Sequence, residues 1–600
     1  MLNAKSVKFS SLVSLLTACA LLNVACGSGT IEGQPSPTPG AGGLNATGGG
    51  GPTSSGAGPV SNGGVAAVAG GAAVGPIDVP KPSAISTESA GQMPLRRLTN
   101  REYSFTMAAL LKDTTMAGSK FEPDGPGLGG FEAPRTVATQ NARNYMESAE
   151  TLAAAALTAK NVVIPCTAPV DATAEKTCVT SLVKDFGAKA YRRDLTQSEV
   201  DDLVKLSQTV KTLGGTFQEA VTATVEAILQ SPNLLYHWEI GDKPPVRDPE
   251  NAALVALTPE QLASRLSYFL WEAPPDDSLL AAAKGGQLAT AEGLKAEAAR
   301  LLKDETRASR ALFDFHRQWL HMDTLADLNL PFGEELEKFV TSVVVAGDGT
   351  LKTLLTAPYT FANALTAPEY GLTASGSGFT QLQLDPTQRL GVLMQLPFLR
   401  TNGNAPPVRR GLAVYKQLLC GTVPPPMVDI PMVEADTPSS TATTRERFAK
   451  HADIACARGC HALFDPWGFA LESFDKIGSY RTREKGKPID VTGLPQGPDG
   501  VIGGTTPAGK ILPFKNGLEM VNALAASDEV SWCASRQWSR YLLGRMEGDA
   551  DTGAVSNAYL AAAYQADRTT PRPFSIKDFL VAIVGTKAFR FRTPSSGETL

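Results

Sequence analysis

The sequence predicts a mainly α-helical protein, built from several helical modules with small β excursions. Helix-start signals recur along the chain, apolar residues follow them at helical spacing, and strand signals are sparse. The chain has 600 residues, of which 43% are hydrophobic and 19% are charged. At about 150 residues per domain, this length and composition predict three or four domains with real cores.

Threonines begin the clearest predicted helices, each followed within three residues by a Glu or Gln that can complete a capping box. They stand in the segments Thr99-Asn100-Arg101-Glu102, Thr196-Gln197-Ser198-Glu199 and Thr258-Pro259-Glu260-Gln261. Apolar spacing predicts further helical turns over 221–230, 266–271, 311–320, 409–419 and 532–544, and Ala-rich stretches add 151–160 and 280–284. A Gly/Pro-rich stretch at about 488–512 predicts a small hairpin.

Charge and hydropathy exclude two classes of protein. Lys and Arg number 55 against 60 for Asp and Glu, a net charge of −5, so we expect no nucleic-acid partner. Beyond the N-terminus, no run of 18 or more apolar residues occurs in the sequence. The chain is therefore not a protein with several membrane spans.

The first 26 residues have the layout of a lipoprotein signal peptide. A basic start with two lysines precedes an apolar run from Phe9 to Ala25. We expect lipidation at Cys26, which directly precedes a polar, Gly-rich segment; Cys19, after a small-residue box, is the alternative. Plain secretion without a lipid is a third interpretation. The predicted location is the cell envelope, on the periplasmic or cell-surface side, with the lipid anchor binding the membrane.

Composition shifts divide the rest of the chain. Residues 27–92 are rich in Gly, Ser and Pro and carry no large apolar side chains to bury, so they predict a flexible tether after the signal peptide at 1–26. The folded modules predicted after it are an N-terminal helical module at 93–160, a second helical module at 161–240, a central helical domain at 250–372, a Cys/His domain at 385–487 and a C-terminal helical module at 510–592.

In an oxidising compartment, cysteines are expected to pair. Cys166 and Cys178 close a loop of about a dozen residues, which a local disulfide would stabilise by roughly 3 kcal/mol. Cys420 and Cys533 lie at the ends of apolar helices, and we pair them by elimination, because the connectivity itself cannot be deduced from sequence.

The remaining cysteines form the segment Cys456-Ala457-Arg458-Gly459-Cys460-His461. Two thiols followed directly by a histidine are typical of covalent haem c attachment, in which Cys456 and Cys460 form thioethers and His461 is the axial ligand of the iron. The spacer here has three residues instead of two. A short Cys456–Cys460 disulfide, a zinc site or two free thiols are the alternatives, and zinc would need further ligands.

The surroundings of this segment leave the second axial ligand open among Met427, Met432 and His451. His237 and His316 lie on aromatic helix faces, where packing is the simpler interpretation. No catalytic residue can be assigned, since no Ser-His-Asp, phosphate-loop or paired-carboxylate pattern occurs.

Downstream of His461, Asp465-Pro466 predicts a turn after a short helix. Glu472 and Asp475 are candidates to hold the His461 ring N–H or to pair with Arg481, and we expect structural ion pairing.

From Arg409 to Pro426, and from Cys460 to Arg481, the chain resembles the planctomycete cytochrome C domain. Segments 95–111, 190–196, 228–236 with 257–271, and 538–545 resemble domains that accompany it in large exported proteins of planctomycetes and myxobacteria. The resemblance implies a cytochrome-c-like helical module near residues 405–485. Cys460 and His461 match the family pattern in place, and Cys456 stands one residue early.

Together these features predict an exported, lipid-anchored, c-type cytochrome-like protein. Its expected role is electron transfer, or oxidation of an unidentified compound together with a redox partner protein. The alternative is a non-catalytic, disulfide-stapled surface lipoprotein that binds a polymer or a partner protein. Whether the protein is an enzyme stays open.

Overall fold

The capping threonines begin helices at the predicted places. Thr99, Thr196 and Thr258 each accept a hydrogen bond from the backbone N–H three residues on, and the side chain at that position bonds back. The computed structural model describes residues 79–598 except 83–85, 128, 167–170, 241–243, 323–330, 404–405, 425–439, 453–454, 493–494, 497–500 and 596–597, and the side chains of 449–458 and 493–503. The predicted signal peptide, both candidate lipidation cysteines and most of the predicted tether lie outside this range.

Helices dominate the described residues, as the sequence predicts. The first part of the chain holds α1 (Asn100–Leu111), α2 (Thr139–Thr158), α3 (Ala172–Tyr191), α4 (Gln197–Thr212), α5 (Phe217–Gln230), α6 (Pro232–Leu235), α7 (Pro259–Trp271), α8 (Asp277–Lys284), α9 (Ala291–Leu301), α10 (Glu305–Trp319) and α11 (Phe332–Thr341). The second part holds α12 (Leu351–Thr356), α13 (Leu396–Thr401), α14 (Pro406–Ala413), α15 (Thr444–Ala452), α16 (Ala455–Phe469), α17 (Gly517–Ala525), α18 (Asp528–Leu543), α19 (Asp549–Ala563), α20 (Ile576–Ile583) and α21 (Lys587–Arg590).

The strands are short and antiparallel. They are β1 (Arg96–Arg97), β2 (Tyr236–His237), β3 (Val255–Ala256), β4 (Tyr359–Ala362), β5 (Thr380–Gln383), β6 (Arg483–Glu484), β7 (Lys487–Pro488), β8 (Pro495–Gln496), β9 (Val501–Thr505), β10 (Ile511–Pro513) and β11 (Phe591–Arg592). β1 pairs with β2, β11 with β3, β4 with β5 and β6 with β7, and β10-β9-β8 form one sheet. The β9–β10 pair confirms the hairpin predicted near 488–512. The described residues contain no helix with the length and hydropathy of a bilayer span.

Buried apolar side chains form two main cores. One is built by α1 to α5 with Tyr268 of α7, so the first two predicted modules share a single core. The other extends from Phe131 through α7 to Phe589 and includes the apolar residues around α16. The two cores meet at α7, which contributes to both, because its faces point in different directions.

A buried charge network connects the N-terminal module to the central domain. Arg101 donates two hydrogen bonds to Glu272, at 3.1 and 2.7 Å, and lies 3.2 Å from Asp314. Arg317 contacts both Asp314, at 2.8 Å, and Glu132, at 3.0 Å. Three carboxylates thus face two guanidinium groups. Burial, with the nearby charge of Asp314, raises the pKa of Glu132 and of Glu272, so the network takes up a proton readily.

The described residues form two disulfides, one local and one between distant parts of the chain. Cys166 is bonded to Cys178 of α3, with Cα atoms 5.8 Å apart, and Cys420 to Cys533 of α18, with Cα atoms 5.5 Å apart. These are the two pairs that the sequence predicts. The second bond ties the segment after α14 to the C-terminal helices, across 113 residues of sequence.

Glu335 of α11 is an isolated acidic side chain in the core. It is fully buried, and the hydroxyl groups of Thr360, at 2.6 Å, and of Tyr370 donate hydrogen bonds to one of its carboxylate oxygens. Burial raises the pKa of Glu335 from 4.5 to about 7, because the charged form loses its hydration. The folded state therefore binds a proton that the unfolded chain has already released at neutral pH.

Replacing this carboxyl by an amide tests that linkage. Because the pKa of Glu335 is higher in the folded than in the unfolded state, its protonation stabilises the fold. This stabilisation is fully present below pH 4.5, the pKa in the unfolded chain, and is lost as the pH rises through about 7. As the pH rises from about 5 to about 8, the free energy of unfolding of the wild type should fall. For Glu335→Gln this fall should be smaller by about 3 kcal/mol. Urea unfolding followed by circular dichroism measures this difference.

Glu334→Gln is the matched control. Glu334 is the neighbouring residue on the same helix, its side chain is half exposed, and it lies 3.6 Å from Lys338. Its replacement should keep the wild-type pH dependence. An unchanged pH dependence in Glu335→Gln would contradict the raised pKa.

Candidate functional site

One helix, α16, carries the predicted Cys/His segment. Residues four apart lie on the same face of an α-helix, so the Cys456 and Cys460 positions share one side of it. The Cys460 thiol is free and half-buried. The side chain of Cys456 lies outside the described residues.

His461 is held by a carboxylate one turn further along the helix. The imidazole is buried, and its Nδ1 lies 3.0 Å from each carboxylate oxygen of Asp465. Its ring packs against Phe464, with centroids 4.8 Å apart. An Nδ1–H that donates to a carboxylate fixes the tautomer in which Nε2 carries the lone pair. This is the arrangement that orients a histidine for metal ligation.

The turn predicted at Asp465-Pro466 is wrong. The helix passes through Pro466 and ends only at Phe469, which keeps Asp465 one helical turn from His461. The carboxylate that contacts the His461 ring is therefore that of Asp465, and not that of Glu472 or Asp475. The signal available in the sequence was the i,i+4 spacing of a histidine and an aspartate.

The structural pairing expected for Glu472 is confirmed. Glu472 is buried and lies 3.2 Å from Arg481. Asp475 instead accepts the backbone N–H groups of Ile477 and Ser479 and so closes the turn after the helix.

Two glycines let α14 and α16 touch backbone to backbone. A Cβ added at Gly468 would lie 1.7 Å from the carbonyl oxygen of Pro407, and one at Gly411 would lie 2.2 Å from that of Phe464. Both distances are far below van der Waals contact. Because Gly411 and Gly468 have no side chain, α16 can pack directly against α14, and this close contact fixes its position.

Arg410 fixes the segment that follows the same helix. Its guanidinium is fully buried and donates to the carbonyl oxygens of Phe474 at 2.7 Å, Asp475 at 2.6 Å, Leu471 at 3.4 Å and Leu399 at 3.0 Å. Three of these carbonyl groups lie after Phe469, the last residue of α16, so the guanidinium supplies hydrogen bonds to backbone oxygens outside regular structure. Burial lowers the pKa of Arg410 to about 10, which leaves it charged at neutral pH.

The candidates for a second axial ligand are not located. Met427 and Met432 lie outside the described residues. His451 belongs to α15, but its side chain is outside the description too. The choice among the three stays a prediction.

Two other histidines are core residues, as expected, but His237 lies in β2 and not on the predicted helix. His237 is buried, with Nε2 3.1 Å from Glu102, and the Nδ1 of the fully buried His316 lies 2.7 Å from the carbonyl oxygen of Leu312. In the part of the chain that the structure describes, no three His, Cys, Asp or Glu side chains are grouped to hold a metal ion.

Four family models match the chain, each described as a protein of unknown function. They are PSD3 (DUF1587) over residues 96–158, PSD5 (DUF1595) over 178–239, PSD4 (DUF1592) over 257–372 and PSCyt3 (DUF1588) over 389–484. All four are planctomycete cytochrome C-associated domains. The chain belongs to this multidomain family. No curated protein and no solved structure matches it.

The PSCyt3 match places the candidate site within one domain of this family. It covers α14, α15 and α16, and therefore the glycine contacts, Arg410 and the Cys/His segment.

The close contact between α14 and α16 can be tested with one methyl group. Gly468→Ala should lower the free energy of unfolding by roughly 1–3 kcal/mol, because two backbones must separate to admit the Cβ. Thermal and urea unfolding measure the loss.

Gly459→Ala is the control on the same helix. A Cβ at Gly459 meets no atom within 4 Å, so this change should be neutral or stabilising by up to about 1 kcal/mol through helix propensity. Equal effects of the two substitutions would contradict the packing argument.

Proposed function

We propose that this chain is an exported, lipid-anchored, c-type cytochrome-like protein of the cell envelope. Its role is electron transfer, or oxidation of a compound together with a redox partner protein. The observation that supports it best is the His461–Asp465 pair beside the free Cys460 thiol, on one helix of a PSCyt3 domain.

The donor set fits haem c. Cys456 and Cys460 would hold the porphyrin through thioethers, and His461 would be an axial ligand of the iron. A bound haem supplies reversible one-electron exchange. The chain's own residues supply the attachment points and the orientation.

The surroundings of His461 support such a role. Asp465 orients the imidazole through its contacts with Nδ1. The buried Phe464 packs against the imidazole ring, with centroids 4.8 Å apart, and covers one side of it. Arg410 and the two glycine contacts keep the helix fixed, so the imidazole would keep one orientation through cycles of oxidation and reduction.

A second candidate function rests on the disulfides. The Cys166–Cys178 and Cys420–Cys533 disulfides are typical of an extracellular protein. Such a protein would bind its partner through a rigid surface, without a cofactor. Under this alternative the chain is a non-catalytic surface lipoprotein that binds a polymer or a partner protein, and its preparations are colourless.

Intact mass of the exported protein separates the two candidates. With haem c attached, the wild type should show the added mass of one haem and a Soret band that survives acid–acetone extraction, because thioethers resist extraction. His461→Ala should alter the Soret spectrum, and replacing both Cys456 and Cys460 by Ser should abolish the added mass.

His321→Ala is the control, since His321 contacts Gln417 and does not belong to the Cys/His segment. It should keep mass and spectrum. A wild type without haem mass, purified from the exported fraction with both disulfides formed, would exclude the cytochrome proposal and favour the second candidate.

The anchor has a separate test. Cys26→Ser should move the exported protein from the detergent phase to the aqueous phase in Triton X-114 partition, because it removes the lipidated thiol. Cys19→Ser should partition like the wild type. The reverse result would assign the anchor to Cys19.

A further inference from the structure

A cavity of about 370 Å³ opens among the C-terminal helices. Its walls come from the residues around the start of α18, from the end of α19 and from the segment before α20, and Lys352 of α12 completes the lining. Apart from Lys352, the lining residues lie outside the four family matches. Sites of this volume in proteins hold small organic molecules.

Three side chains in this cavity have unused hydrogen-bonding groups. They are Tyr559, which is 1% exposed, the half-buried Tyr564 and the exposed Asp528. In the part of the chain that the structure describes, neither phenol hydroxyl and neither oxygen of the carboxylate has a hydrogen-bond partner. Buried hydroxyl groups are nearly always paired, so the hydroxyl of Tyr559 indicates a partner that enters through the cavity.

The two phenols and the carboxylate lie close together. Burial raises the pKa of Tyr559 and of Tyr564, and the negative charge of Asp528 adds to the rise in both. Both phenols therefore stay protonated at neutral pH and can donate a hydrogen bond, whereas the carboxylate can only accept one. A hydroxyl group can accept from a phenol and donate to a carboxylate at the same time, so it fits between them.

The packing of Tyr559 decides which part of it a ligand can contact. Phe574 stacks on its ring, with centroids 5.9 Å apart, and Trp532 makes an edge contact with it at 5.5 Å. A cation that binds to an aromatic ring lies over the face of the ring. Because neighbours cover the Tyr559 ring and only 1% of the residue is exposed, its hydroxyl is the group available to a ligand.

The charges of the walls favour neither a cation nor an anion. Arg572 lies 2.7 Å from Asp578, which neutralises it. Asp528 and Lys352 remain, one of each sign, and among the described residues neither forms an ion pair. A cation would be repelled by Lys352 and an anion by Asp528. A neutral ligand with several hydroxyl groups is not repelled by either.

We propose that this cavity binds a neutral sugar, whose hydroxyl groups bridge the two phenols and Asp528. A sugar hydroxyl would accept from Tyr559 or Tyr564 and donate to the Asp528 carboxylate, and Lys352 would donate to another hydroxyl. The volume of the cavity is sufficient for a monosaccharide. The proposal depends neither on haem nor on the lipid anchor.

Isothermal titration calorimetry of the full-length chain tests the proposal, at constant ionic strength and in a detergent without a sugar headgroup. The neutral probes are glucose, galactose and mannose. Each is compared with its amino sugar and its uronic acid at about pH 6, where these carry a positive and a negative charge. Glycine betaine, a zwitterion with a quaternary ammonium group, is the fourth kind of probe. We expect saturable one-to-one binding of at least one neutral sugar, at least as tight as that of its charged counterparts.

Two nearly isosteric substitutions test the residues. Asp528→Asn should weaken sugar binding by about tenfold, because a hydrogen bond to a charged acceptor is lost, and Tyr559→Phe by roughly threefold to tenfold. Tyr559→Phe keeps the ring that packs against Phe574, so this variant should fold. Asp549→Asn is the matched control and should bind like the wild type. Like Asp528, Asp549 is the exposed first residue of a helix, but it does not line the cavity.

Absence of saturable binding by all three neutral sugars would overturn the proposal. Tighter binding of an amino sugar, a uronic acid or glycine betaine would also overturn it, since the cavity would then be a site for a charged ligand. Equal weakening by Asp528→Asn and Asp549→Asn would place the binding elsewhere. Circular dichroism checks that each variant is folded.

Discussion

The candidate site depends on how one buried guanidinium is satisfied. Arg410 is fully buried and contacts four carbonyl oxygens, three of them in the segment that follows the helix with Cys460 and His461. A buried charge without such partners would be very unfavourable, so the backbone after α16 has little freedom to move. Gly411 and Gly468 add a second constraint, since they bring the backbones into contact. The position of His461 is therefore fixed by Arg410, Gly411 and Gly468, which take no part in the proposed haem binding.

The modules predicted from the sequence pack together and share hydrophobic cores. The first two share one core, and α7 belongs to both cores. The network from Arg101 to Glu132 adds a polar connection, and Tyr541 of α18 joins it by donating to Asp314 at 3.1 Å. Contacts of this kind, made by residues hundreds of positions apart, explain why four domains of a single family fold side by side with short connections.

Local features were predictable from the sequence, and long-range ones were not. The threonine caps could be recognised because a capping box is complete within four residues. The disulfide pairs followed from few cysteines and their spacing. By contrast, Asp465-Pro466 suggested a turn, since proline usually ends a helix, but packing against α14 keeps the helix intact through Pro466. The role of Arg410 depends on carbonyl groups more than 60 residues away in sequence, and no local pattern reports them.

The bond between Cys420 and Cys533 closes a loop that contains Cys456 and Cys460. Under the proposed export from the N-terminus, Cys420 would meet these two nearer thiols before its native partner emerges, and shorter loops close at a lower entropic cost. Oxidation in order of emergence would therefore produce a wrong bond. Maturation of the exported chain would then require either early protection of the inner thiols or an isomerase that exchanges the first bond formed, so its biogenesis would be sensitive to the thiol–disulfide machinery of its compartment.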